Sequence, residues 1–487
     1  MKKTKISVIE PRILKGFRDY FPAEMIARQK MIDTIRKVYE LYGFEPLETP
    51  ALEYKETLLS CGEEASKEFY EFKDVEGNEV ALRFDLTASL SRVIAQYKEL
   101  PKPFKRYQIA SVWRMDKPGP GRFREFIQFD IDTVGCESMI ADAEIISATV
   151  FTLEALGMLN YKVRVNNRKI LNSLMAFANI PEDTAKDVFR VLDKLDKQGL
   201  EAVKQELTTG RIDASGDRIP GLGLEENQVR CLEEFLSRGL INQTPTRKRR
   251  TEILGNVSQL FKDIPGAEEG ISELRQIDEC LSASGISEEK VVIDLSLARG
   301  LDYYTGPVFE TIFLDATEYG SVFGGGRYDG LVKRFLSEEI PATGISIGVD
   351  RLFAALQKLG LVDLSSSTAQ VLVTVMDQTY LKEYQKIAQE LRQAGIKTEL
   401  YTGMEKSLRK QLEYCDRKRI PIVIIAGSIE FEKGEISIKN MRIIGAGHEL
   451  PSEIKERQAW LQARVGQRSV PRANMIKEIK EMLSKSC

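Results

Sequence analysis

The chain has 487 residues, of which 43% are hydrophobic, 29% charged and 8% aromatic. That balance belongs to a globular protein of two or three domains and excludes disordered, collagenous and membrane classes. Net charge is −3, but it is unevenly spread: 21 basic and 15 acidic side chains from Ala369 onward give that end +6, against −9 for residues 1–368. A basic terminal module on an acidic body suits a polyanion-binding appendage, and equally a charged solvated surface.

No apolar run approaches the ~20 residues of a membrane helix. The basic start Met1–Lys5 is followed by no apolar stretch, so it is not read as a secretory signal and a cytoplasmic protein is expected. The six cysteines lie far apart without a Cys-x-x-Cys pair, and neither a zinc site nor a disulfide framework is expected. His448 is the single histidine. Paired-histidine zinc motifs are thereby removed, and a Ser-His-Asp site is left only around His448. Chemistry here must run on arginines, carboxylates, tyrosines and a substrate's own groups.

In chain order, Ile32, Ile35, Tyr39 and Tyr42 form the stripe of an amphipathic helix over 24–42, ended by Gly43. Alternation over 79–84, 104–114 and 123–133 predicts strands of an antiparallel sheet. From about 168 to 285 helical periodicity dominates, broken by Gly216–Gly223 and carrying the basic run Arg247–Arg250, which either touches nucleic acid or is solvated. Strand patterns return at 291–297, 308–314 and 345–349, with a helix after Arg351, so one sheet is interrupted by a helical insertion. A serine-bearing linker at 364–368 leads to alternating strands and helices over 371–426, a compact α/β domain with a largely parallel sheet.

The stretch Phe104–Arg114, a turn-rich loop with Pro118-Gly119-Pro120-Gly121, and Arg122–Asp132 form an antiparallel hairpin. Period-2 geometry puts Phe123, Ile127, Phe129 and Ile131 on one face, and Arg122, Arg124, Phe126, Gln128, Asp130 and Asp132 on the other. Forked cations near the loop and carboxylates further along suit a ligand that is anionic at one end and cationic at the other, such as ATP beside an amino acid. A second cluster, Arg299-Gly300-Leu301-Asp302-Tyr303-Tyr304-Thr305-Gly306, joins two strands. A third, Gly324-Gly325-Gly326-Arg327-Tyr328-Asp329-Gly330, lets backbone approach a ligand or make a tight turn, and lacks both the P-loop ending and the dinucleotide spacing. In Gly344–Leu352, Arg351 stands where a strand gives way to a helix.

These segments together resemble class II aminoacyl-tRNA synthetases, and among them the histidyl-tRNA synthetases, over nearly the whole chain. Lys15–Tyr20 resembles the family's N-terminal stretch. The helix leading into Glu48–Glu53 resembles motif 1, Arg114–Asp132 motif 2 and Gly344–Leu352 motif 3, while Arg299–Gly306 and Gly324–Gly330 resemble the two histidine-specific signatures. The resemblance implies an α+β fold: a class II antiparallel active-site sheet flanked by helices in two parts (1–167 and 289–362), a helical insertion domain (168–288) and a C-terminal α/β anticodon-binding domain (369–487). It implies a ligase that joins L-histidine to AMP, with ATP as substrate and Mg²⁺, and then to tRNA(His). It also implies a homodimer through motif 1.

By the same resemblance Arg114 grips the ATP α-phosphate, Arg122 the γ-phosphate, and Arg351 stacks on adenine. Arg299 and Arg114 are the catalytic pair, Arg299 also meeting the substrate carboxylate. Asp85, Thr87 and Gln128 receive the α-ammonium group, Asp132 and Tyr304 the imidazole, and Tyr303 lines the same pocket; no protein-bound metal is implied. Arg83-Phe84-Asp85-Leu86-Thr87 departs from the bacterial Arg-Pro-Glu-Gly-Thr, and 441–470 runs long for the family, with a helix expected at 452–465. The alternatives are a regulatory paralogue that senses histidine beside a phosphoribosyltransferase, or a prolyl or threonyl relative. The first usually lacks the terminal domain and loses motif arginines; the Arg299–Gly306 signature disfavours the others.

Overall fold

A computed structural model describes residues 9–59, 69–212, 216–239, 249–300, 303–336, 338–364, 367–405, 407–442 and 466–484. His448, the helix expected at 452–465, Asp302, Arg247 and Lys248 lie outside them. The chain divides into two compact units, residues 1–18 with 31–362 and residues 19–30 with 363–487. The first unit holds both the large sheet and the helical stretch 168–288.

The first unit is built on eight strands. Across the sheet they run Glu45–Pro46, Phe104–Trp113, Glu125–Val134, Ala342–Gly348, Ser321–Arg327, Pro307–Phe313, Tyr161–Asn167 and Val291–Ile293. The pairings are antiparallel except at the two edges, where the outermost strands run parallel to their neighbours. Strands distant in sequence become neighbours because Glu125–Val134 pairs with Ala342–Gly348. The expected interruption of one sheet by helices is thus observed.

One face of this sheet is apolar. Phe129 and Ile131 are fully buried, and Phe129 meets Tyr39 of the helix Pro22–Leu41 edge-on, ring centroids 5.0 Å apart. Helix Ile140–Ala155 is buried over most of its length, so its apolar residues need no single stripe. Helices Arg168–Phe177 and Ala267–Ala283 belong to the helical stretch, and Glu182–Leu192 carries Val188 and Phe189 inward. In the basic run, Arg250 is buried and ion-paired to Asp278 at 2.6 Å. That residue is a core anchor rather than a nucleic-acid contact or a solvated charge.

In the second unit the strands run Thr398–Leu400, Val371–Val373, Ile422–Ile425, Glu435–Asn440 and Gln467–Pro471. The first three are parallel, and the last two join antiparallel. Tyr384, Ile387 and Leu391, one face of helix Leu381–Gln393, pack on Val371, Ile424 and Ile438. The Tyr384 hydroxyl donates to the Ala426 carbonyl at 2.6 Å, so the buried phenol is satisfied.

Candidate active site

The other face of the large sheet forms the floor of a cavity of about 560 Å³. Its register places Gln108, Asp130, Ser346, Gly324, Glu310 and Arg164 in one row across five neighbouring pairings. Residues opposite one another in a sheet share a face, so polar groups from six strands converge without any being close in sequence. Gly324 is the low point of that row. A Cβ built there meets nothing nearer than Ser321 Oγ at 3.9 Å, whereas one on Gly325 meets the Gly344 carbonyl oxygen at 2.2 Å. Gly324→Val is expected to fold with a near-native melting temperature yet weaken substrate binding more than about tenfold by filling the floor. Gly325→Ala should instead lower stability by about 1–3 kcal/mol through backbone collision. Calorimetry and ligand titration separate the two.

Four arginines border the cavity, Arg114, Arg122, Arg299 and Arg351, and the first three act electrostatically on the fourth. Arg114 donates from Nε to the Phe84 carbonyl at 2.9 Å and lies 5.3 Å from the Phe126 ring centroid. Arg122 is held by Asp116 at 2.6 Å in the hairpin loop, and Arg351 donates to the Ser321 carbonyl at 2.6 Å. Burial, then the charges of Arg122, Arg299 and Arg114, pulls the Arg351 guanidinium below its ordinary pKa, the signature of cations crowded together to receive an anion. Arg299 is ion-paired to Glu310 at 2.6 Å and to Asp193 at 3.2 Å.

The rest of the lining is acidic, polar and aromatic. Asp85, Thr87, Gln128, Asp130, Tyr303 and Tyr304 line it. Asp85 Oδ1 also accepts from the Ala88 N–H at 3.0 Å, in the first turn of helix Thr87–Gln96. Gln128 donates to Ser346 Oγ at 2.6 Å. The Tyr303 and Tyr304 rings stand edge-to-face, 5.1 Å apart.

Nine of the ten residues singled out from sequence border this one cavity; Asp132 does not. Its carboxylate is ion-paired to the fully buried Arg106 at 2.8 Å and accepts from the Tyr328 hydroxyl. The cause is the cross-strand partner: Asp132 stands opposite Gly344, and its side chain lies over that glycine, where a Cβ would sit 2.0 Å from Oδ1. Asp130, two residues earlier on the same face, holds the cavity wall instead. Its Oδ1 is buried without a hydrogen-bond partner. Burial first, opposed by Arg106 and reinforced by Asp132, pushes its carboxyl up to about 7.

Sequence reasoning gave no individual role to Glu310, Tyr328, Ser346, Asp350 or Asp193. Asp350 accepts from the Ile127 N–H at 2.8 Å and ties motif 3 to motif 2. A lone acid in the apolar run Pro307–Phe313 was the available signal for Glu310. Arg327, in the glycine-rich cluster, is structural: it pairs with the fully buried Asp142 away from the cavity.

A sheet of this order carrying a cleft lined by arginine forks, carboxylates and tyrosines is the catalytic core of an aminoacyl-tRNA synthetase of class II. The sequence profile of histidyl-tRNA synthetases matches residues 16–352, and that of an anticodon binding domain matches 370–482. The chain is 44% identical to the histidine–tRNA ligase of a Ruegeria species over 96% of its own length and 95% of that protein's. It is 41% identical to that of Brucella abortus, with 98% and 97% covered. The crystal structure of histidyl-tRNA synthetase from Nostoc superposes with a TM-score of 0.80 at 31% identity, covering 98% of this chain and 100% of that one. This chain belongs to the histidyl-tRNA synthetase family.

Proposed function

We propose that the protein is a histidine–tRNA ligase of protein synthesis, which condenses L-histidine with ATP to histidyl-adenylate and pyrophosphate and then transfers histidine to the 3′ end of tRNA(His). The observation that carries the reading is the composition of one cavity, bordered by four arginines, by Asp85, Asp130 and two tyrosines, and by Gly324. The amino-acid carboxylate is already ionised at neutral pH, so its attack on the α-phosphorus requires no general base. The barrier lies in bringing two anions together and in the charge that grows as pyrophosphate leaves. Arg114 and Arg299 answer it at the α-phosphate, with Arg122 and Arg351 on the outer phosphates and adenine, because permanently charged forks match phosphate oxygens in a water-poor cleft. ATP enters as its magnesium complex, the metal screening the remaining phosphate charge.

Asp85, Thr87 and Gln128 receive the ammonium group. Asp130 takes the role expected of Asp132, meeting one ring nitrogen of the substrate, with Tyr304 at the other and Tyr303 beside it. An apolar isostere would leave these groups buried without partners. The basic C-terminal unit binds the tRNA anticodon. A homodimer fits the small sheet Leu52–Tyr54, Glu79–Leu82 and Glu71–Lys73: Tyr54, Val80 and Phe72 align across it, and Tyr54 and Phe72 are more than half exposed. A monomer in equilibrium sedimentation would refute that. Among the described residues no helix is long and apolar enough to cross a membrane, and we place the enzyme in the cytoplasm with its tRNA. In ATP–pyrophosphate exchange screened over the twenty amino acids, histidine alone should support turnover, and the same preparation should charge purified tRNA. Exchange indifferent to histidine would overturn the reading.

A further inference from the structure

We propose that Asp193, which follows helix Glu182–Leu192 of the helical insertion, is a positioning residue for Arg299. It orients that guanidinium toward the reacting phosphate. Among the described residues, Arg299 is the one arginine of the cavity clamped by two carboxylates from different parts of the fold. Its Nη1 is ion-paired to Glu310 Oε1 at 2.6 Å, and its Nε donates to Asp193 Oδ1 at 3.2 Å.

The two clamps differ in character. Glu310 sits within a sheet strand, is almost fully buried, and is backed by Arg164 at 3.4 Å. Arg164 in turn donates to Asp294 at 2.6 Å and to Ser296 Oγ at 2.9 Å. That side is rigid. Yet a single contact at Nη1 leaves the planar guanidinium free to swing about that nitrogen. The contact at Nε removes the swing, because an ion pair at one nitrogen and a hydrogen bond at another nitrogen of the same plane together define its orientation. Among the described residues Nη2 then has no protein partner, and it is the edge left to meet a phosphate oxygen.

Asp193 is partly exposed and does not border the cavity, so it acts through Arg299 rather than on substrate. Its position on the insertion means that a module outside the catalytic sheet sets the aim of the arginine on which adenylate formation depends. Misaiming a group by a small angle in such a site costs rate more than binding.

The inference rests on the assignment of Arg299 to the reacting phosphate. Steady-state ATP–pyrophosphate exchange on the full chain tests it. Asp193→Ala should lower kcat about tenfold, with KM for ATP and histidine within about twofold. Asp193→Asn keeps an acceptor oxygen for Nε–H and should retain most of the rate. In an Arg299→Lys background, whose side chain has no Nε–H, Asp193→Ala should have no further effect. An equal loss in that background, an Asn variant as slow as the Ala variant, or an accelerated Ala variant would each overturn the proposal. Wild-type protein without histidine-dependent exchange would instead overturn the functional reading beneath it.

Discussion

Arg299→Ala is expected to slow histidine-dependent ATP–pyrophosphate exchange by about 10²- to 10³-fold, the loss seen when one preorganised donor to developing charge is removed. ATP affinity should change only a few-fold, because Arg114, Arg122 and Arg351 still hold the nucleotide in the ground state. An interaction realised mainly in the transition state appears in kcat, and equal losses in rate and ATP binding would contradict the assignment. A second consequence follows from the partner. Glu310, nearly fully buried, would keep only Arg164 at 3.4 Å, and leaving a buried carboxylate under-compensated costs about 1–3 kcal/mol of stability. Adding Glu310→Gln should recover melting temperature without recovering rate. Recovery of both would mean that the arginine serves the fold alone.

Asp130→Asn is expected to cut kcat/KM for histidine about 10²-fold, as truncation of one partner in a buried charged pair does, while KM for ATP stays near wild type. The same variant carries a stability signature of known sign. The folded-state carboxyl titrates at about 7 and the unfolded one near 4. Between those values the folded chain holds the extra proton, so wild-type stability is fully present below about pH 4 and declines as pH rises through about 7. Asn cannot ionise. The variant should therefore melt above wild type at pH 8 and approach it at pH 4, as scanning calorimetry at the two pH values would read. Asp132→Asn should do the opposite, losing about 3–5 kcal/mol because Arg106 would be left as an uncompensated buried charge. If Asp132→Asn left stability intact and abolished histidine selection, the ring contact would return to Asp132.

Much of the architecture was legible in the chain. The stripe of Ile32, Ile35 and Tyr39 marked a core helix because helical spacing repeats within two turns. The alternation Phe123, Ile127, Phe129, Ile131 told which face of its strand is buried, and Phe129 and Ile131 are indeed covered. The arginines of the cavity were legible too, since each stands in a loop, at a strand end or in the first turn of a helix within a recognisable motif. Asp132 was not. Its spacing from Gln128 and Asp130 says only that the three share a face; which of them lines the cavity depends on what stands opposite.

Local periodicity and short motifs thus determined the elements, their buried faces, the family and nine residues that border the cavity, because those signals are carried by neighbours along the chain. The sheet register decided the rest. By setting Glu310 beside Gly324, Gly324 beside Ser346 and Ser346 beside Asp130, it made the cavity floor; by setting Asp132 against Gly344 it drew that acid back to Arg106. Likewise, only folding brings Asp193 within 3.2 Å of Arg299 across 106 positions of sequence. Pairing between strands far apart in the chain is a collective outcome of packing and hydrogen bonding, and no single segment holds it.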